Sequence, residues 1–387
     1  MGRFFGIELW AKCSLAAFMV MAVVACGQVS NTDAESAPTF HAEADPVKLS
    51  DWGLLSVSTG SLSLTDRVLP YDLATPLFTD YAHKLRTIWM PRSAEPGSFR
   101  GDGVPDMPVG TVISKTFYYP LADQKTVLKS GDASGLFNPL LADLDQVLLM
   151  ETRLLVKRDA GWVALSYVWD ADQQDATLTK IGAVKPLSIR SQDHDQSFPY
   201  IVPNTNQCAG CHAPNATTKE LVPLGIHQRH LNKAYLREGV PENQLVTLEN
   251  AGFMKAVDNG EAPRNADWLD QSISLDARAR SYLDINCSHC HNPKGPADTS
   301  GLDLTVDAPF GEALGVCKLP IAAGLGTGGR RHDIVPGDAD QSILSYRMET
   351  TNPAAMMPEL GRSLAHREGV GLINQWIDAM DGGCGDT

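Results

Sequence analysis

The sequence has no excess of positive charge and no apolar run long enough to cross a bilayer. Its 32 lysines and arginines are outnumbered by 46 aspartates and glutamates, giving a formal net charge of −14, which argues against a nucleic-acid partner. The apolar run Ser14–Ala25 is shorter than the roughly 20 residues that a spanning helix needs. Hydrophobic residues at 43% and charged residues at 20% are ordinary for a soluble globular protein, so composition excludes disorder and a polytopic membrane protein.

The start of the chain is typical of a bacterial export signal. Arg3 and Lys12 precede the short apolar run, which ends in Val23-Val24-Ala25-Cys26-Gly27. This ending resembles a bacterial lipobox, the segment before a cysteine that receives a lipid. We predict a signal peptide over residues 1–25 and lipidation of Cys26, with an ordinary secretory signal and a chance cysteine as the alternative.

Residues 26–46 are polar and contain few apolar side chains. Such a segment buries too little surface to fold, so it predicts a flexible tether. A lipid at Cys26 followed by this tether would hold a soluble domain beside a membrane without embedding it. The expected location is therefore that of an exported lipoprotein, which either faces the periplasm or is anchored in the outer membrane.

The eight cysteines divide completely among specific roles, as expected for a protein in an oxidising compartment. Cys13 falls in the signal peptide and Cys26 is the lipidation site. Cys317 and Cys384 are free to form a disulfide. The other four occupy two copies of one motif, C-x-x-C-H: Cys208-Ala-Gly-Cys211-His212 and Cys287-Ser-His-Cys290-His291.

The motif C-x-x-C-H is the attachment site of c-type haem. Two thiols on one helical turn reach the two vinyl groups of a porphyrin, and the histidine after them becomes the proximal iron ligand. We therefore predict two covalently attached haems c, with His212 and His291 as proximal ligands. Zinc bound by the four thiolates is the alternative. Export and the histidine that ends both motifs favour haem over zinc.

Residues 271–387 are predicted to form a helical domain around the second motif. A helix capped by Ser274 leads into the motif, and apolar residues repeat along a closing helix that begins near Ala365. With Met356-Met357-Pro358 between them, this order resembles the small all-α cytochrome c fold. The resemblance implies that Met357 is the sixth iron ligand, with Met356 as the alternative.

Residues 47–270 are predicted to be β-rich. Four segments rich in β-branched and aromatic residues predict an antiparallel meander: Lys84–Met90, Thr111–Tyr119, Val147–Lys157 and Trp162–Trp169. The stretches Pro108–Lys115, Leu154–Lys157 and Gly161-Trp162 resemble the β-sheet cytochromes of the c′-beta type. The predicted fold class is thus α+β and multidomain, with an antiparallel β-rich haem domain followed by an all-α cytochrome c domain.

The distal ligand of the first haem is left open by the sequence. The c′-beta resemblance implies an iron with one face free for a small molecule. His227, His230 or Met254 could instead complete the coordination, since each lies within reach along the chain.

Four blocks along the mature chain resemble a family of bacterial di-haem c-type cytochromes with no established substrate: Val68–Tyr81, Glu151–Leu155, Asp284–Asn292 and Met356–Gly361. The resemblance implies an exported electron carrier, whose acidic surface would suit a redox partner with a basic patch. The alternative is a haem enzyme or sensor that uses an open first haem for peroxide, a nitrogen oxide or another small molecule. The sequence identifies no catalytic residue.

Overall fold

The largest element of the fold is a six-stranded antiparallel sheet. The computed structural model describes residues 37–387 except 101–102, 124, 131–140, 192–193, 238–239, 258–259, 322 and 386–387. In spatial order the strands of the sheet are β10 (Ala176–Thr179), β9 (Gly161–Trp169), β8 (Val147–Arg158), β5 (Val112–Pro120), β4 (His83–Trp89) and β3 (Leu69–Tyr71). The predicted antiparallel sheet is confirmed.

Three smaller sheets complete the β structure of the described residues. One contains β1 (Leu55–Ser58), β2 (Ser61–Leu64) and β7 (Leu141–Asp143), and another is the hairpin of β13 (Ala234–Arg237) and β14 (Val240–Asn243). In the third, β11 (Ala183–Arg190) pairs with β12 (Asp195–Val202) and, in parallel, with β6 (Thr126–Leu128).

The helices among the described residues are mostly in the second half of the chain. The α-helices are α1 (Thr205–His212), α2 (Gln228–Leu231), α3 (Gln244–Asn250), α4 (Leu275–Cys287), α5 (Ile343–Glu349) and α6 (Arg367–Asp378). Short 3-10 helices span Leu49–Trp52, Asp298–Ser300, Glu312–Leu314 and Gly324–Thr327. The fold is therefore mixed and β-rich.

Helices α4 and α6 form where the sequence predicts amphipathic helices. The side chain of Ser274 accepts a hydrogen bond from Ala277 N (3.3 Å), which caps the start of α4. The two helices pack together through buried apolar faces. Trp376 of α6 also donates to Asp276 of α4 (2.8 Å). This pair brackets the second motif.

The segment 38–46 is held on the sheet, which differs from the predicted flexible tether over residues 26–46. Phe40 packs against the apolar core, and Arg158 pairs with Asp45 (3.0 Å). Tyr167 donates to the carbonyl of Pro46 (2.9 Å). The polar composition concealed one aromatic anchor and one ion pair. The predicted signal peptide, Cys26 and the rest of the tether to residue 36 lie outside the described residues.

Buried polar contacts join the two predicted domains across the boundary near residue 270. Asp80, only 2% exposed, accepts hydrogen bonds from the backbone N–H groups of Ser363 and Leu364, both at 2.7 Å. Arg229 forms a buried ion pair with Asp284 (2.8 Å). Removing one partner of a buried ion pair strongly destabilises a protein. These contacts therefore hold the β-rich region and the helical region together.

We expect Asp80→Ala to lower the free energy of unfolding by about 2–4 kcal/mol, because two buried N–H groups lose their acceptor. The control Asp66→Ala removes an exposed ion pair with Arg92 and should change stability by about 0–1 kcal/mol. Denaturant unfolding of both variants measures the difference. Equal losses would show that the Asp80 contacts contribute little to joining the two regions.

Candidate functional site: two adjoining C-x-x-C-H segments

The first motif lies on helix α1, which follows strand β12 directly. Asn204 caps the helix and exchanges hydrogen bonds with Gln207, forming a capping box. Cys208 is buried. His212 ends the helix, and its Nδ1 lies 2.9 Å from the carbonyl oxygen of Val222. Because a carbonyl can only accept, Nδ1 carries the proton, and Nε2 keeps the lone pair that a metal requires.

The second motif begins at the last residue of helix α4, Cys287. The Nδ1 of His291 lies 3.1 Å from Ser300 Oγ, whose hydroxyl donates to the carbonyl of Ala297 (2.7 Å). The Ser300 oxygen therefore accepts from His291 Nδ1, and the histidine is again left with a free Nε2 lone pair. The two predicted proximal histidines thus share one tautomer.

Burial keeps these histidines neutral and the nearby thiols protonated. Removal from water lowers the pKa of His212 to about 3 and that of His291 to about 4. A neutral imidazole is the form that binds a metal. Burial also raises the pKa of Cys287 and Cys290 to about 12, so both thiols are protonated at neutral pH.

The two motifs are in direct contact although 79 positions separate their first cysteines. Hydrogen bonds connect the segments at three points: Cys290 Sγ to Gly210 O (3.6 Å), Asn292 Nδ2 to Pro214 O (3.3 Å) and Ala216 N to Lys294 O (2.8 Å). A Cβ atom added at Gly210 would lie 3.2 Å from a methyl carbon of Leu360. The segment after Met357 therefore packs closely on the first motif as well.

A cavity beside the second motif brings Cys287 and Met357 together. The cavity is small and partly open to solvent, and its lining includes Phe78, Tyr282 and His366. The thiol and the thioether are the groups that a c-type haem would require here, so these residues fit the group that the motif implies. Met356, the alternative ligand, is buried and is not among the lining residues.

The backbone around Met357 is held by one buried arginine. Arg362, 4% exposed, donates to four backbone carbonyls, which belong to Met357 (3.1 Å), Leu364 (3.2 Å), Arg347 (3.0 Å) and Thr350 (2.9 Å). Met357 N also donates to Arg347 O (2.8 Å). This network fixes the backbone of Met357 relative to the end of α5.

An aromatic cluster forms another wall of the cavity. The His366 ring stacks on Phe78, with centroids 4.2 Å apart and planes 9° from parallel. The Nδ1 atom of His366 is 2.8 Å from the hydroxyl of Tyr282. Burial lowers the pKa of His366 to about 4. The cavity wall is thus uncharged at neutral pH on this side.

All three residues considered as distal ligands to the first haem contact other parts of the described structure. His230 is 2% exposed, with Nδ1 3.3 Å from Asn265 Nδ2 and Nε2 3.6 Å from Asp284 Oδ2. Met254 packs in the apolar core that includes Met107. His227 Nδ1 lies 3.3 Å from an Arg229 nitrogen. The recorded contacts among the described residues connect none of the three with His212.

The six-stranded sheet presents positive charge to the first motif. Burial lowers the pKa of His212 most, and the nearby charges of Lys115 and Arg153 lower it further. Burial raises the pKa of Cys211, and the same two cations oppose that shift. Sequence analysis missed these residues. The available signal was a basic residue in the interior of each of two long, mostly apolar strands, Lys115 in β5 and Arg153 in β8.

Cys317 and Cys384 are joined by a disulfide in the structure, with Cα atoms 5.3 Å apart. This is the pair that the cysteine assignment leaves over. The two cysteines are 67 positions apart in sequence, and the segment between them contains α5, Met357 and α6.

No three His, Cys, Asp or Glu side chains among the described residues converge as a metal-binding group. A c-type haem requires only one histidine and one distal group from the protein, so this finding has no bearing on haem. None of the helices in the described part of the chain combines the length and apolar character of a bilayer crossing.

Comparison of the chain with protein-family models, curated proteins and solved structures finds no match.

Proposed function

We propose that this protein is an exported di-haem c-type cytochrome that transfers electrons. The observation that carries the proposal is the contact between the two C-x-x-C-H segments, together with the free Nε2 lone pair on the histidine of each. A c-type haem at each motif would supply a one-electron couple. The chain contributes two thiol pairs, two buried neutral imidazoles and a backbone that holds both attachment points in one place.

The contact at Cys290 and Gly210 supports electron transfer in particular. Electron tunnelling slows steeply with distance, so two redox groups exchange electrons fastest when they are attached at adjoining sites. The hydrogen bonds between the segments also limit relative motion, which lowers the reorganisation that accompanies a change of charge. Two haems that worked independently would not need attachment sites that are in contact.

We assign region 271–387 to the cytochrome c type on three features. Helix α4 runs directly into Cys287, α6 packs across α4, and Met357 lies in the cavity that Cys287 also lines. In this assignment His291 is the proximal ligand and Met357 the distal one. The Arg362 network would hold Met357 in place through its backbone, since a ligand must keep its position in both oxidation states.

The disulfide supports the proposed location outside the cytoplasm, because such bonds persist in oxidising compartments. We propose that lipidation at Cys26 connects the protein to a membrane and that its redox partner presents a basic patch to the acidic surface. Nucleic acid has no place in this proposal.

A second candidate function is a haem enzyme or sensor with an open first haem. The observation that favours it is that His230 and Met254 are engaged with other residues. The basic side chains of Lys115 and Arg153 lie near the same motif, and basic groups beside an open iron would suit a small anionic or polar reactant. Peroxide and nitrogen oxides are the reactant classes in question.

We expect the intact mass of the natively matured protein to include two haem groups. The double variant Cys208→Ala/Cys211→Ala should carry one haem, because a haem that has no thioether bond to the protein is lost on denaturation. The control Cys317→Ala/Cys384→Ala should keep both haems. A wild-type mass with no haem or one haem would contradict the di-haem proposal.

We expect Met357→Ala to abolish the weak near-infrared band that arises from sulfur-to-iron charge transfer and to lower one midpoint potential, because a thioether ligand raises the potential. Met356→Ala is the matched control and should keep the band. Absorption spectroscopy of the oxidised protein measures the effect. Loss of the band only in the Met356 variant would transfer the ligand role to that residue.

For the second candidate function, we expect carbon monoxide to shift the Soret band of one haem in the reduced protein. The shift should disappear in Cys208→Ala/Cys211→Ala, since that variant lacks the first haem. An unchanged Soret band in the wild type would rule out an open coordination site and leave electron transfer alone.

A further inference from the structure

Three basic side chains form a row across the middle of the six-stranded sheet. Arg86 of β4 is the register partner of Lys115 of β5, and Lys115 is the partner of Arg153 of β8. Directly opposed residues on neighbouring strands point to the same face, with Cβ atoms about 4.5–5.5 Å apart. Lys84, two residues before Arg86, extends the same face. Like charges in these positions destabilise a sheet unless a negative group compensates them.

The carboxylates near this row already have partners. Asp72 pairs with Arg86 (3.1 Å) and Lys233 (3.1 Å). Glu151, fully buried, pairs with Arg153 (2.6 Å) and accepts a hydrogen bond from Tyr200 (2.8 Å). Each of these acids therefore compensates the charge of an arginine. The two lysines of the row form no ion pair with either acid.

Lys115 has no ion pair among the described residues. Its recorded contact is with the ring of Phe117, whose centroid lies 5.2 Å from Nζ. Arg153 lies over the same ring at 4.4 Å. Lys84 donates to the carbonyl of Ala82 (2.7 Å). The amine of Lys115 is thus the basic group of this row that lacks a negative partner among the described residues. Burial, together with the charges of Arg153 and Arg86, lowers its pKa to about 7, and a bound anion would favour the charged form.

A buried hydroxyl beside the row independently points to a ligand. Ser166 of β9 is the register partner of Arg153, so both side chains lie on one face. Ser166 is 4% exposed, and its Oγ has no hydrogen-bond partner among the described residues. A buried hydroxyl without a partner costs free energy. A group that accepts hydrogen bonds at this place would satisfy Ser166 and compensate Lys115 together.

We propose that Lys115, Arg153 and Ser166 bind a small oxyanion on the sheet face beside the first motif. The ligand is a carboxylate or a small inorganic oxyanion, because two cations and one hydroxyl match a group with two or three acceptor oxygens. It has two sources: a propionate of a haem at the first motif, or a free anion such as nitrite. The second source would make this site the substrate pocket of the proposed open haem, whereas the binding of a free anion does not itself require haem.

The test is calorimetric titration of the full-length, natively matured protein with nitrite at low ionic strength. For a free anion, Lys115→Met should weaken binding about tenfold to a hundredfold, the range for a lost hydrogen bond to a charged group. The control Lys255→Met removes the same charge from an exposed residue and should leave binding unchanged. Haem content, measured separately from the absorption spectrum, distinguishes failure of this site from failure of the cytochrome proposal.

For a haem propionate, nitrite should release no binding heat, and Lys115→Met should lower one midpoint potential relative to Lys255→Met. With either source, Lys115→Met should keep or raise the melting temperature in anion-free buffer, since it removes like-charge repulsion. The proposal is overturned if Lys115→Met matches Lys255→Met in both nitrite binding and potential. It is also overturned if Lys115→Met lowers the melting temperature without changing either quantity, because Lys115 would then be purely structural.

Discussion

The set of hydrogen bonds between the two C-x-x-C-H segments constrains the structure around them, at Cys290 and Gly210, at Asn292 and Pro214, and at Ala216 and Lys294. Helix α1 must leave the β-rich region at a fixed place, and helix α4 must end against it. The helical region can then occupy only one position, which the buried Asp80 and Arg229 contacts stabilise. The two predicted domains consequently behave as parts of a single structure, and the two C-x-x-C-H motifs lie where they meet.

Local patterns in the sequence predicted the elements well. The strand expected over 84–90 runs over 83–89, and that expected over 147–157 ends one residue later. Alternating and β-branched residues carry this information because one face of each strand is buried. The Ser274 cap and the apolar stripe of α6 were visible for the same reason. Composition alone failed at residues 38–46, where Phe40 and Asp45 find partners far along the chain.

The geometry of the site was less predictable because it depends on register and long-range packing. The C-x-x-C-H motifs can be read directly from the sequence, and assigning their cysteines leaves Cys317 and Cys384 as a pair. Nothing in the local sequence shows that the two motifs are in contact. The row of Arg86, Lys115 and Arg153 was equally hidden. Each residue looks like an ordinary charge within its own strand, and only the pairing of three strands makes the row visible. Likewise, the engagement of His230 by Asp284 requires a partner 54 positions away in sequence.

The disulfide between Cys317 and Cys384 has a consequence for how the protein matures. The loop that it closes contains Met357 but none of the four motif cysteines, so oxidation of this pair leaves the four motif thiols outside the closed loop. Disulfide formation and the thioether formation of the proposed function would therefore use different sulfur atoms in separate parts of the sequence.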